Sequence, residues 1–153
     1  MKTKTIITEL NQEDLVVLLS TATYGSNWLD SFANDRKGVQ VEDGDCIEDI
    51  QAKCLLAGKR ITFVDYYAEG EHHGELPYTF GKEEEECEYS VSLDDIVAGL
   101  QKCADGSFKN NGDHEVSWLK DCFAHFAEGG FDLDLTEAEA LMQVVIFGEL
   151  IYG

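Results

Sequence analysis

Basic residues are scarce in this chain. Eleven lysines and arginines stand against 31 aspartates and glutamates, a formal net charge of −20. A field of that sign repels nucleic acid and anionic membrane and attracts cations and basic proteins, so direct nucleic-acid binding is not expected. Proline occurs once, at Pro77, and no Pro- or Ser-rich linker divides the chain, so residues 1–153 read as a single domain with one core. No apolar run approaches the roughly 20 residues of a membrane span, and no charged-then-apolar leader opens the chain. The five cysteines are odd in number and form no C-x-x-C pair. Together these features place the expected setting in a reducing cytoplasm. Glycine-rich phosphate loops, dinucleotide fingerprints and nucleophile turns are missing as well, so no cofactor is expected and the reading leans away from an enzyme.

The acidity is uneven. Residues 1–64 carry ten acids and seven bases, residues 65–95 eleven acids and one base, and residues 96–153 ten acids and three bases. The net charges are −3, −10 and −7, so half the excess falls in a fifth of the chain. Hydrophobic residues make up 44%, a globular proportion.

KTKTIITEL (2–10) alternates and is β-branched, which reads as a strand. Asn11 can cap a helix with Asp14 at its third position and Leu15, Leu18, Leu19 and Ala22 on one stripe; Tyr24-Gly25 ends it. Residues 26–38 read as irregular, anchored on the core by Trp28 and Phe32. A second helix is expected from Asp45, with a capping box to Glu48, inward-facing Ile47, Ile50 and Cys54, and a stop at Gly58. KRITFVDYY (59–67) is the clearest strand, and 84–91 is a second, antiparallel to it because the connection holds no crossover helix. Ser92 caps a third helix with Asp95 at its third position and Leu93, Ile96, Val97 and Leu100 on its stripe. Asp113 caps a fourth helix, and Thr136-Glu-Ala-Glu139 forms a capping box for a last helix that runs almost to the end. The expected fold is α+β: a small, mainly antiparallel sheet of about three strands covered by about five helices.

The paired histidines of EGEHHGE (69–75) invite a metal reading. Adjacent residues on extended chain point in opposite directions, so His72 and His73 are poorly placed to share one ion, and the flanking Gly70 and Gly74 are the composition of a loop tip. A metal is not expected there, although a cation or small-ligand site using His72, His73 and nearby carboxylates stays open. FDLDLTE (131–137) lacks the glycine and the bidentate glutamate of a calcium loop, since Gln143 stands where that glutamate belongs. Cys122 and His125 share a helix face at a spacing of three, which permits a thiolate–imidazole pair. The ordinary outcome beside Phe123 and Phe126 is an inert buried thiol.

On a strand, Glu84, Glu86 and Glu88 fall on one face and Glu85, Cys87, Tyr89 and Val91 on the other. Same-face neighbours are then about 7 Å apart, comparable with the repeat of a phosphate backbone. Asp65, Glu69, Glu71, Glu75, Glu83, Glu84, Glu85, Glu86 and Glu88 therefore form a candidate surface for a basic protein, including one that handles nucleic acid. The competing explanation is protection of a sheet edge by charge. In EALMQVVIFGELIYG (139–153), four consecutive apolar residues imply a helix buried on several sides, either the centre of the domain or a homodimer surface. Gly148 inside that helix implies close approach of another element.

The segments LSTATYGSNWLD (19–30), LLAGKRITFVDYYAE (55–69), YSVSLDDIVAGL (89–100) and ALMQVVIFGELIYG (140–153) resemble a family of small acidic proteins of phages, prophages and related mobile elements. Members typically end in Q-[YV]-[AV]-[LI]-F-G-E-[IVL]-[IV]-[FY]-G, which Gln143 to Gly153 match, and carry a glycine before a strand with an internal aspartate, as Gly58 and Asp65 do here. No activity or site residue transfers from that family. The resemblance implies an accessory protein of a mobile element in a bacterial cytoplasm. The sequence thus points to a non-catalytic acidic interaction protein, with a His72/His73 ligand site and a Cys122/His125 enzyme as alternatives.

Overall fold

The structure, a computed structural model, describes residues 10–25, 27–67, 74, 76–80, 86–110 and 135–151. Four helices and a four-stranded antiparallel sheet make up most of these residues, an α+β fold. Helix α1 spans Gln12–Gly25, α2 Ile47–Leu56, α3 Leu93–Asp105 and α4 Leu135–Phe147. Strands β1 (Leu29–Phe32), β2 (Ile61–Asp65), β3 (Tyr78–Phe80) and β4 (Cys87–Val91) lie in the order β1-β2-β4-β3. Two residues each of β5 (Lys109–Asn110) and β6 (Glu149–Leu150) add a parallel pair. The strand expected at 2–10 and the helix expected from Asp113 fall, apart from Leu10, outside the described residues.

Local chemistry sets most helix ends. Asn11 Oδ1 accepts from the Asp14 amide at 2.8 Å, and Asp14 returns the bond to the Asn11 amide at 3.2 Å. Ser92 and Asp95 form the same reciprocal box at the start of α3. At the end of α2, Gly58 takes φ +84°, its amide donates to Leu55 and the Lys59 amide donates to Cys54 at 2.9 Å. This closure needs a left-handed residue, hence glycine.

Register fixes which face is buried. Phe63 lies opposite Tyr89, Ile61 opposite Val91, and Leu29 opposite Asp65. Leu29, Ile61, Phe63, Cys87, Tyr89 and Val91 consequently share the side that meets the helices in one core. Helix α4 is the centre of that core: it packs on α1 and α3, and every residue from Ala140 to Phe147 is buried. Phe147 stands between Trp28 and Tyr89, each ring centroid 5.7 Å from its own.

Several expectations need correction. Residues 29–32 form a strand rather than irregular chain, and Phe32, on its outward side, is 44% exposed. Helix α2 begins after Cys46, whose amide donates to Asp49 at 3.0 Å, and Ile47 in its first turn is 60% exposed. Asp45 instead accepts from the Glu42 amide at 2.9 Å and pairs with Lys53 at 2.6 Å. Thr136 lies inside α4, and Glu139 accepts from Trp28 Nε1 at 2.9 Å rather than serving a cap. Gly148 is not interior: it follows the helix at φ +72° and turns the chain into β6. The close approach comes from Gly99 of α3, where a methyl group would stand 3.0 Å from Val145 Cα and overlap the valine side chain. With its apolar residues packed inside the domain, α4 offers little to a homodimer.

Candidate functional site

Of the nine carboxylates expected to form a docking surface, three belong to the described residues, and they divide. Asp65 is fully buried. It falls on the core face because its register matches Leu29 and Cys87, and its Oδ1 accepts from the Tyr67 amide at 2.9 Å. It turns the chain out of β2 and cannot meet a partner, so it is removed from the expected surface. Glu86 and Glu88 are half-buried. Glu88 stands on the opposite face, in a row with Asp30, Val64 and Thr79. Glu69, Glu71, Glu75, Glu83, Glu84 and Glu85 lie outside the described residues, as do His72, His73, Cys122 and His125.

Tyr66 reports what surrounds this outward row. Its hydroxyl donates to Asp30 Oδ2 at 3.4 Å. Burial first, then the charges of Asp30, Glu86 and Glu88, push the phenol above its ordinary pKa. The negative charges of Asp30, Glu86 and Glu88 thus all act on one tyrosine, and Asp30 is in hydrogen-bond contact with it. Asp30 is the member missed in the sequence, because β1 itself was not expected. The strand β4 is interior, between β2 and β3. Edge protection consequently does not explain Glu88, which is paired on both sides.

The ion-paired cations among the described residues lie elsewhere. The ion pairs among the described residues are Lys53–Asp45 at 2.6 Å, Lys59–Asp35 at 3.1 Å and Arg60–Asp95 at 3.3 Å. All three cations belong to α2 or to the approach to the first residue of β2, whereas Glu88 is level with Val64 near that strand's far end.

A second polar assembly lies along the outer side of β1, the end strand of the sheet among the described residues. Gln51 of α2 donates from Nε2 to the Ser31 carbonyl at 2.9 Å and accepts from Ser31 Oγ at 2.9 Å. Asp30 Oδ1 accepts from the Ser31 amide at 2.8 Å. These side chains satisfy the edge groups that a neighbouring strand would otherwise use. Beside them is a cleft of about 330 Å³, bordered by α1, β1 and α2, that includes Tyr24, Asp30, Phe32, Ile47 and Glu48. Glu48 is only 6% exposed. Burial disfavours its charge, but hydrogen bonds from the Tyr24 hydroxyl and its own backbone amide outweigh that and hold it below its ordinary value. The same bond, reinforced by burial and by the charges of Glu48, Cys46 and Asp30, raises Tyr24. The sequence signal was the polar pair Glu48 and Gln51, spaced by three among the buried positions of α2.

The C-terminal motif is architectural. Gln143 accepts from the Ile151 amide, Phe147 fills the core between two rings, and Gly148 makes the turn between them. Gly74, expected at an exposed loop tip, is buried against the backbone of Ile146, and a methyl there would overlap the Ile146 carbonyl.

Among the described residues no group of three or more His, Cys, Asp or Glu side chains is arranged to hold a metal ion. No described helix is long and apolar enough to cross a membrane. No protein-family model, curated protein or solved structure matches the chain.

Proposed function

We propose that this chain is a non-catalytic acidic interaction protein that presents the outward side of its sheet, around Glu86 and Glu88, to a basic protein, including one that handles nucleic acid. The observation that carries the reading is that the charges of Asp30, Glu86 and Glu88 all act on Tyr66, while none of the three takes part in the lysine and arginine ion pairs among the described residues. Like charges two residues apart, as Glu86 and Glu88 are, cost stability and return nothing to an isolated monomer. A cationic partner offsets that cost. The segment 65–95, with eleven acids and one base, extends the same charge beyond these three residues. The resemblance to mobile-element proteins supplies the setting, a bacterial cytoplasm.

Affinity capture from a bacterial lysate tests it. The chain retains a basic protein at low ionic strength. Replacing Glu83 to Glu86 and Glu88 with glutamine abolishes that capture, and retention of the same protein by the substituted chain rejects the assignment.

A further inference from the structure

We propose that the cleft between α1, β1 and α2 is a binding site for one organic cation, an ammonium or guanidinium group on a short apolar stem, held by Glu48 and Asp30. The inference does not rest on the docking face around Glu88. It begins with Glu48, a carboxylate more than nine-tenths buried that takes part in none of the ion pairs among the described residues. Its hydrogen-bonding neighbours, the Tyr24 hydroxyl and its own backbone amide, are neutral donors. Buried carboxylates are ordinarily balanced by a cation, and among the described residues no lysine or arginine is within ion-pair distance of this one.

The walls select what can enter. Tyr24, Phe32 and Ile47 are 75%, 44% and 60% exposed, large apolar groups left in water around one opening. Aromatic faces attract ammonium and guanidinium groups, and Ile47 offers a surface for an alkyl stem. The volume, about 330 Å³, is at the small end of ligand pockets, which limits the occupant to one small molecule or one side chain. Arg36 stands at the same cleft with its Nε donating to the Ala33 carbonyl at 3.3 Å. Its charge opposes a cationic occupant, so the geometry predicts that removing it strengthens binding.

The test is titration of isotope-labelled protein, followed by backbone amide shifts, with three probes of one size: butylguanidinium, n-butanol and butyrate. Butylguanidinium shifts residues 23–24, 30–33 and 46–51 saturably; the alcohol and the acid leave them unchanged. Glu48→Gln weakens the response at least tenfold, Arg36→Gln strengthens it about twofold or more, and Glu88→Gln leaves it unaltered. Equal response to butanol or butyrate, or undiminished binding by a folded Glu48→Gln chain, overturns the proposal. If that variant does not fold, the Arg36→Gln result decides: weaker binding means that the arginine recognises an anion and the cation assignment is wrong. A blocked peptide bearing one arginine separates the two sources of such a cation. Tenfold tighter binding than butylguanidinium assigns the cleft to a protein side chain, and equal binding assigns it to a free small molecule.

Discussion

Gln143 and Ile151 are joined across the C-terminal turn: the Ile151 amide donates to Gln143 Oε1 at 2.7 Å, from a glutamine that is itself buried. The bond clasps β6 back onto the helix that leads into it. It gives the terminal Q-x-x-x-F-G-E pattern a physical reading, in which Gln143 and Gly148 build the turn and Phe147 anchors it in the core. Gln143→Leu keeps the volume but removes the acceptor, and should cost about 1–3 kcal/mol through the orphaned amide. Urea unfolding measures it. A loss below about 0.5 kcal/mol, the scale of a neutral surface change, would show that the clasp is incidental.

Gly99 allows α3 to approach α4 at Val145. An alanine there should destabilise the domain by about 1–3 kcal/mol, the usual cost of overpacking. Val145→Ala removes the overlapping methyl groups but leaves the valine's Cα position, 3.0 Å from the new methyl. The double variant should therefore be more stable than the sum of the two losses predicts, by about 0.5–3 kcal/mol. Strict additivity in a double-mutant cycle would mean that the two residues do not meet.

Acid should weaken the fold within a defined pH window. Asp35, Asp45 and Asp49 are held below the ordinary value of 3.8, chiefly by the Lys37 amide, the Glu42 amide and the Cys46 thiol respectively. A carboxylate depressed in the folded state stabilises it above the unfolded pKa, and that contribution disappears as pH falls through the folded value. The window lies below about pH 4. Thermal unfolding from pH 5 to pH 2 should show a falling midpoint, and Asp45→Asn should flatten that decline. An unchanged slope would show that Asp45 contributes nothing there.

How much of this was legible in the sequence depended on whether a residue's role was local. Asn11 with Asp14, Ser92 with Asp95 and Gly58 act within a few positions of themselves, and their signatures survive into the structure. The antiparallel pairing of β2 with β4 followed from a connection whose sequence carries no crossover helix. Roles set by distant contacts were hidden. Phe32 is hydrophobic yet exposed, because register turns it away from the core. Asp65 is acidic yet buried, because the same register turns it inward. Glu48 looks like a capping acid until β1 and Tyr24 are brought beside it.

The claim that the outward sheet face, rather than acidity at large, recognises a basic partner has a direct test. A lysine-rich peptide is titrated at 50 and 500 mM salt into the native chain, into Glu86→Gln/Glu88→Gln, and into Glu42→Gln/Asp43→Asn. The two double variants remove the same charge, the second pair from an exposed loop ahead of α2. The account predicts that salt weakens binding throughout, as the Debye length contracts from roughly 14 Å to about 4 Å, and that only the Glu86/Glu88 pair lowers affinity at 50 mM, by tenfold or more. Equal weakening by both pairs would contradict it and leave the charge without a direction.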